Sequence, residues 1–203
     1  MTLLFTSGTL MIPKIILAST SRYRAQLLSR IVPDFETDNP QIDETALEGE
    51  TPEALCLRLA KAKALAVFER HPSNIVIGSD QVAVLGNRIL GKPGTQEKAL
   101  SQLLSMSGQK MRFLTAVAVV CSNHPIEAEI VETVVTMRKL SEAQILHYLK
   151  VDQPFDCAGA AKIESLGIAL TQSVESTDPT ALIGLPLITV TRFLHNAGFD
   201  VFQ

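Results

Sequence analysis

Residues 15–28 of the chain read IILASTSRYRAQLL and pass from an apolar run directly into hydroxyl and basic side chains. The apolar run predicts a buried strand over Lys14–Ser19, and the apolar spacing that follows predicts a helix over Arg22–Ile31. Ser21 is a residue type that commonly caps a helix N-terminus. A strand that leads into a helix is typical of α/β proteins, so this stretch points to that fold class.

Strand-like and helix-like segments alternate along the rest of the chain. The predicted helices run from Pro52, capped by Thr51, to about Arg70, between Thr95 and Gly108, from Ser141 to about Lys150, and from about Pro186 to Gly198. The predicted strands are Ile75–Ile77, two short runs joined by a turn at Gly86-Asn87, and an antiparallel pair, Met111–Cys121 and Ile126–Met137. Residues 35–50 are predicted as a polar, acidic connection. The mixture of crossovers and hairpins predicts a mixed, twisted sheet flanked by helices.

The composition excludes several classes of protein. The chain has 203 residues, of which 46% are apolar, which is enough for one domain-sized core. A formal net charge of −3 argues against a nucleic-acid binder, which would need a broad basic surface. No apolar run approaches the roughly 18–20 residues of a membrane span. We therefore expect a protein that binds neither nucleic acid nor a membrane.

The cysteines and the first residues bear on location and boundaries. Cys56, Cys121 and Cys157 are far apart and odd in number, which fits a reducing cytoplasm better than a disulfide framework or a zinc site. The opening MTLLFTSGTL lacks the basic start and cleavage site of a signal peptide. We expect residues 1–11 to be a disordered leader, with Met11 as an alternative start, and residues 12–203 to form a single domain.

The hydroxyl-rich exit of the first strand is a candidate anion site. A helix N-terminus carries unsatisfied N–H groups and the positive end of the helix dipole. The hydroxyls of Ser19 and Ser21 and the guanidinium of Arg24 would complete a phosphate site there. The alternative interpretation, an ordinary helix cap beside solvated arginines, is favoured by the local pattern alone.

Two carboxylates are candidates for chemistry. Asp80 follows the predicted strand Ile75–Ile77, and the C-terminal ends of strands are where α/β sheets place ligands. A carboxylate there can hold a divalent cation or take a proton from water, although a simple turn aspartate fits equally well. Asp43 and Glu44 lie in the acidic connection and are solvated charges unless that segment folds back, in which case Glu44 supplies a second metal ligand.

Two lysines are candidates for phosphate binding. Helical spacing places Lys63 at the edge of the apolar stripe formed by Leu55, Leu59, Ala62 and Ala66, and Lys61 on the opposite, solvated side. Lys92 lies in a Gly/Pro-rich turn that would fix its ammonium group, although an ordinary turn lysine is the simpler interpretation. Cations, hydroxyls and carboxylates that converge at one sheet end would suit metal-assisted attack on a polyphosphate. The G-x-x-x-x-G-K-[ST] motif of P-loop proteins does not occur in the sequence.

The motifs together resemble a known family. The segments ILASTSRYR, IDET, LAKAKA, IGSDQV, ILGKP and GLPL follow the order and spacing of the Maf-like nucleotide pyrophosphatases, and the resemblance extends from Ile15 to about Gly198. It implies a mixed α/β fold related to the inosine-triphosphate pyrophosphatases, with a cleft between two lobes. It also implies cleavage of a nucleoside triphosphate between the α and β phosphates with a divalent cation such as Mg²⁺, Mn²⁺ or Co²⁺.

The resemblance also implies roles for individual residues. Ser19, Ser21 and Arg24 match the S-x-S-x-x-R phosphate-binding element, and Lys63 and Lys92 match the helix lysine and the lysine of the G-K-P turn. Glu44 matches the metal-binding glutamate, and Asp80 matches the proposed proton acceptor, which also lies near the metal. The chain departs from the family in having Arg22 where proline is usual, and we interpret Arg22 as a bystander.

Three further positions track the choice of base in the family. Here they are Tyr23, Gln81 and Glu164, which resemble the aromatic, Gln and Glu of the subgroup that acts on 7-methyl-GTP, with Tyr in place of Trp. An aromatic face suits the cationic 7-methylguanine ring. A carboxylate can accept both N–H groups of the guanine edge, which thymine and uracil cannot supply. The subgroup that acts on dTTP and UTP has Arg, Thr and Gln instead.

The sequence therefore predicts an enzyme that hydrolyses 7-methyl-GTP to 7-methyl-GMP and diphosphate. The expected partner is the nucleotide, and the sequence leaves a homodimer open. Two alternatives remain. One is a pyrophosphatase that prefers dTTP, UTP or another modified nucleotide, and the other is a non-catalytic nucleotide-binding regulator of cell division. The two retained carboxylates argue against the regulator, because binding alone does not need Asp80 to activate water.

Overall fold

A mixed sheet of seven strands organises residues 13–203, the part of the chain that the computed structural model describes. The expectations for residues 1–11 lie outside this range. The strands are β1 (Ile15–Ala18), β2 (Glu36–Asp38), β3 (Ile75–Leu85), β4 (Arg88–Leu90), β5 (Lys110–Cys121), β6 (His124–Met137) and β7 (Thr171–Ser176). The helices are α1 (Arg22–Leu28), α2 (Pro52–Phe68), α3 (Gln96–Met106), α4 (Glu142–Asp152) and α5 (Leu187–Asn196).

The strand order confirms the predicted mixed sheet. The strands lie in the order β2-β1-β3-β5-β6-β7, and β4 also pairs with β3. β1 is parallel to both β2 and β3, whereas every other pairing is antiparallel. The predicted hairpin at Gly86-Asn87 joins β3 to β4, and the predicted long pair is β5 and β6.

The strand predicted over Ile75–Ile77 is longer than expected, because β3 continues through the polar residues Gly78–Gln81 to Leu85. β5 pairs with β3 without interruption from Val76 to Leu85, so the ladder hydrogen bonds hold the polar residues in the strand. Asp80 therefore lies inside a long strand rather than at its C-terminal end. It is nevertheless two residues beyond Gly78, the last residue of β3 that pairs with β1.

The other edge of β3 has a gap between two neighbouring strands. β1 pairs with β3 as far as Gly78, and β4 pairs with it from Ala83 onward. Residues 79–82 thus have β5 on one side and neither β1 nor β4 on the other. This interruption at the carboxyl end of β1 is where an open α/β sheet offers room for a ligand.

Helices cover both faces of the sheet and divide its core. On one face α2 packs against alternate residues of β3 and β5, such as Val82 and Leu114. On the other face α1 and α5 pack over one apolar cluster, and α3 and α4 pack over a second. Between these two clusters lie the buried polar side chains of Ser79 and Thr115.

α2 lies unusually close to β3, and this corrects the predicted apolar stripe. Its buried face includes Cys56, Ala60, Lys63 and Val67, whereas Ala62 and Ala66 are only half-buried. A Cβ atom at Gly78 would lie 2.4 Å from the Ala60 carbonyl oxygen, so only glycine permits this approach. Lys63 consequently lies within the buried face rather than at its edge.

Some element boundaries differ from the prediction. The short edge strand β2 lies inside the segment predicted as a connection, and β7 is a further edge strand that the sequence analysis did not identify. α1 ends at Leu28 because the N–H groups of Arg30 and Ile31 bond carbonyls three residues earlier, which tightens the last turn. Within residues 13–203 every helix is too short or too polar to pass through a bilayer.

Candidate active site

A cleft of about 700 Å³ lies at the gap beside β3. Nine of the ten residues that the sequence analysis selected line it: Ser19, Ser21, Tyr23, Arg24, Glu44, Lys63, Asp80, Gln81 and Lys92. They come from the turn between β1 and α1, from α1, α2 and β3, from the segment after β2 and from the turn after β4. The volume is within the range of roughly 300–1,000 Å³ that small-molecule sites occupy.

A lysine between two carboxylates occupies the centre of the cleft. Lys63 Nζ lies 2.7 Å from Asp80 Oδ1 and 2.8 Å from Glu44 Oε1. The Lys63 and Asp80 side chains are nearly buried, whereas the Glu44 side chain is 58% exposed. The acidic connection therefore folds back over the sheet, as the interpretation of Glu44 as a metal ligand requires.

The two carboxylates have pKa values displaced in opposite directions. Burial raises the pKa of Asp80 above its ordinary value, and the opposing charges of Lys63 and Arg24 reduce this effect without reversing it. Burial also acts on Glu44, but the ammonium group of Lys63 outweighs it and lowers the Glu44 pKa. Two carboxylates whose pKa values differ in this way suit different roles, with Asp80 as a proton acceptor and Glu44 as a permanent anion.

The donor set around Lys63 fits a hard divalent cation. Mg²⁺ is commonly held by one or two carboxylates together with water and substrate phosphates. Glu44 and Asp80 supply two such carboxylates on converging elements. Within residues 13–203 no group of three or more His, Cys, Asp or Glu side chains is placed to hold a metal.

The hydroxyls of Ser19 and Ser21 keep their hydrogens available to a ligand. Ser19 Oγ accepts a hydrogen bond from the Ser21 amide, and Ser21 Oγ accepts one from the Arg24 amide as the cap of α1. Because each oxygen acts only as an acceptor in these bonds, each O–H group can still donate. The helix-cap interpretation and the anion-site interpretation of Ser21 are therefore compatible.

Arg24 is anchored by a backbone carbonyl from a distant part of the chain. Its Nε donates to the Gly184 carbonyl oxygen at 2.8 Å. Ser79 Oγ shares its hydrogen between this oxygen, at 3.0 Å, and the Ala116 carbonyl oxygen, at 2.8 Å. The bond from Arg24 uses one edge of the guanidinium and leaves its remaining N–H groups for the cleft. The GLPL motif, for which the sequence analysis had no role, thus begins with the residue that orients Arg24.

The segment that carries Glu44 is held in place by an ion pair. Arg58 on α2 bonds both carboxylate oxygens of Glu50, at 2.6 and 2.7 Å, and also donates to the Thr45 carbonyl. The same pairing lowers the pKa of Glu50 to about 2. α2 therefore positions both Lys63 and the segment on which Glu44 lies.

Tyr23 and its neighbour form one unit in the cleft lining. The Arg22 guanidinium lies 4.8 Å from the centre of the Tyr23 ring and donates to the Tyr23 hydroxyl at 2.8 Å. Lys162 Nζ is 6.0 Å from the same ring centre. Arg22, which the sequence analysis interpreted as a bystander, lines the cleft and lies over a face of the aromatic ring.

Gln81 lines the cleft. Glu164 is not among the residues of the range 13–203 that line it. Glu164 is exposed and lies two residues after Lys162, whose ammonium group approaches Tyr23. The sequence analysis also missed Asp156 and Ala158, which line the cleft from the segment after α4. That segment carries no strand or helix pattern that would have placed it here.

Comparisons with known proteins identify relatives of the chain. A protein named "7-methyl-GTP pyrophosphatase" from Polaromonas sp. (strain JS666 / ATCC BAA-500) is 51% identical over 189 residues, which cover 93% of this chain and 86% of that protein. One of the same name from Thiobacillus denitrificans is 52% identical over 190 residues, which cover 93% and 94%.

Among solved structures, the Staphylococcus aureus Ham1 protein matches 62% of this chain and 72% of its own, at 16% identity and a TM-score of 0.45. The model of the family described as "Maf-like protein" matches residues 14–197. Since that match and the relatives above each span most of the sequence, the chain belongs to the Maf-like protein family.

Proposed function

We propose that this chain hydrolyses 7-methyl-GTP to 7-methyl-GMP and diphosphate. The observation that carries the proposal is the buried Lys63–Asp80 pair at the centre of a cleft that also holds Arg24, Lys92 and two hydroxyls. The choice of nucleotide rests on the relatives named 7-methyl-GTP pyrophosphatase, which are about half identical to the chain.

In the proposed reaction, the oxygen of a water molecule forms a bond to the α-phosphorus while the bond from that phosphorus to the α–β bridging oxygen breaks. Asp80 takes the proton from the water, and diphosphate leaves. The raised pKa of Asp80 improves its strength as a base, because a proton acceptor works best when its pKa approaches the working pH.

The cationic side chains act on the phosphates. Arg24, Lys63 and Lys92 neutralise the charge of the triphosphate, while the hydroxyls of Ser19 and Ser21 donate to its oxygens. Glu44 and Asp80 would hold a divalent cation such as Mg²⁺, Mn²⁺ or Co²⁺, which would add charge neutralisation at the reacting phosphate. Tyr23 and Gln81, which line the cleft, would contact the base.

The proposal is tested by measuring diphosphate release from 7-methyl-GTP, GTP, dTTP and UTP, with added Mg²⁺ or Mn²⁺ and with a chelator. We expect turnover to be fastest with 7-methyl-GTP and to stop with the chelator. Asp80→Asn should lower kcat by about 10²–10⁴-fold. The matched control is Asp43→Asn, an exposed carboxylate near Glu44 that bonds the Thr45 amide, and it should retain activity. Tight nucleotide binding without any product would refute the hydrolase and favour the regulator.

A further inference from the structure

The side-chain amide of Gln81 is held in one orientation by three acceptors. Its nitrogen lies 2.9 Å from Thr115 Oγ1, 3.1 Å from the Ala181 carbonyl oxygen and 3.1 Å from the Leu182 carbonyl oxygen. The two carbonyls can only accept hydrogen bonds, and an amide nitrogen can only donate. The nitrogen of Gln81 therefore belongs on this side, and a flipped amide would place oxygen against oxygen.

Thr115 reinforces this orientation because its own hydrogen is already used. Its hydroxyl is fully buried on β5 and donates to the Ala181 carbonyl at 2.8 Å. The hydroxyl oxygen is thus left as an acceptor and can receive a bond from Gln81 but cannot offer one. The groups of Thr115 and of the turn Ala181–Ile183 that face the Gln81 amide are therefore all hydrogen-bond acceptors.

The consequence is that Gln81 offers an acceptor to a ligand. Gln81 is partly exposed and lines the cleft, and its amide nitrogen is directed into the protein. The carbonyl oxygen is then the amide atom that remains for a bound base. It would accept a hydrogen bond from a ring or amino N–H group and would repel a carbonyl oxygen in the same place.

We propose that Thr115 is a positioning residue for substrate choice, which fixes the Gln81 amide so that its oxygen accepts a hydrogen bond from the base. The inference rests on the proposed function. The favoured base has two neighbouring N–H donors on one edge, as 7-methylguanine does. Uracil and thymine have one ring N–H between two carbonyls, so when that N–H bonds Gln81 Oε1 a carbonyl lies where the favoured base has its second donor. Discrimination by such a mismatch is strong in a site that excludes water.

The test compares Thr115→Val, which has the same shape without the hydroxyl, with Thr115→Ser, which keeps it. We expect Thr115→Val to raise the KM for 7-methyl-GTP about tenfold, with kcat within about twofold, and to lower the preference for 7-methyl-GTP over UTP by a similar factor. Thr115→Ser should retain the wild-type preference. Thr133→Val removes another buried threonine hydroxyl, bonded to Ser176 on the neighbouring strands, and should leave both quantities unchanged.

A double-mutant cycle separates positioning from a general structural effect. Gln81→Met removes the amide, so adding Thr115→Val to it should cause no further loss of preference. A further loss in the double variant, or an unchanged preference in a folded Thr115→Val variant, would overturn the proposal. Failure of the proposed function would look different, because the unsubstituted chain would then release no diphosphate from 7-methyl-GTP.

A measurement on the unsubstituted chain covers the case in which Thr115→Val does not fold. The side-chain N–H₂ signals of Gln81, identified in an NMR spectrum by their loss in Gln81→Met, should exchange slowly with solvent because they bond inward. Fast exchange would contradict the fixed orientation and, with it, the role of Thr115.

Discussion

Lys63 and Asp80 form an ion pair with an N–O distance of 2.7 Å, and their side chains are only 7% and 9% exposed. The pair joins α2 to β3 at the point where β1 no longer accompanies β3. A buried carboxylate that loses its ion-pair partner is strongly destabilising, because the charge remains out of water. The Lys63–Asp80 pair is thus both part of the site and part of what holds α2 on the sheet.

Lys63→Met tests this double role. We expect the variant to lose about 2–4 kcal/mol of unfolding free energy, measured by chemical denaturation without metal. Millimolar Mg²⁺ should restore part of the loss, because a cation held by Glu44 and Asp80 would again offset the charge of the buried carboxylate. Lys61→Met, from the same helix but only half-buried, should unfold like the wild type. Equal stability of the two variants would disprove the structural role of Lys63.

Gly78→Ala tests the close approach of α2. The added Cβ would lie 2.4 Å from the Ala60 carbonyl oxygen and 2.6 Å from the Ala64 amide nitrogen, both in the helix backbone. Since neither atom can rotate away, α2 must shift, at a cost of about 1–3 kcal/mol or more. We expect a lower melting temperature and a disproportionate loss of activity, because Lys63 moves away from Asp80.

The control for that variant is Gly91→Ala. A Cβ at Gly91 would meet nothing within 4 Å, so its melting temperature should match the wild type. If Gly78→Ala has the same melting temperature as Gly91→Ala, α2 can accommodate a Cβ atom at Gly78 and the prediction is wrong.

Arg22→Ala tests whether the Arg22 guanidinium competes with the base for Tyr23. The guanidinium now lies over the ring at 4.8 Å, where a cationic 7-methylguanine would gain the same cation–π attraction. We expect the variant to bind 7-methyl-GTP about 3–10-fold more tightly, by calorimetry with the product-forming step blocked by Asp80→Asn. Arg30→Ala, an exposed arginine after α1, is the control. Weaker binding by Arg22→Ala would mean that Arg22 contacts the nucleotide instead.

Glu50→Gln tests the ion pair that holds the Glu44 segment, through its dependence on pH. Arg58 lowers the pKa of Glu50 from 4.5 to about 2, so the pair contributes stability above pH 4.5 and loses it as the pH falls toward 2. The variant should melt below the wild type at neutral pH, and the difference should vanish by about pH 2. Glu48→Gln, an exposed neighbour, should show no such convergence. A difference that is constant across the whole pH range would rule out the ionised pair as its source.

The sequence was most informative where local signals agreed with long-range pairing. Thr51, Thr95 and Ser141 each cap the helix that was predicted to follow them, because a cap depends only on neighbouring backbone groups. The strand β3 was less predictable, since Gly78-Ser79-Asp80 has the composition of a turn and is kept extended only by β5. The edge strand β2 escaped notice because its three residues, Glu36–Asp38, are polar and depend on β1 for their pairing.

The candidate site followed the same rule. Residues whose type implies chemistry, such as Asp80 and Lys63, could be selected from the sequence and lie together. Residues that act by orienting another side chain could not, and Gly184 and Thr115 are examples. Nothing in the sequence indicates that a carbonyl at Gly184 meets Arg24, because 160 positions separate them.

Successive residues of a strand face opposite sides of the sheet, and Asp80 and Gln81 are two such residues of β3. Asp80 turns toward α2 and Lys63, and Gln81 turns toward Thr115 and the Ala181–Ile183 turn. Asp80, the proposed proton acceptor, and Gln81, which is proposed to select the base, are thus adjacent in the chain but contact different parts of the protein. Substitutions around Gln81 can therefore change the choice of base during evolution, while the residues around Asp80 stay the same.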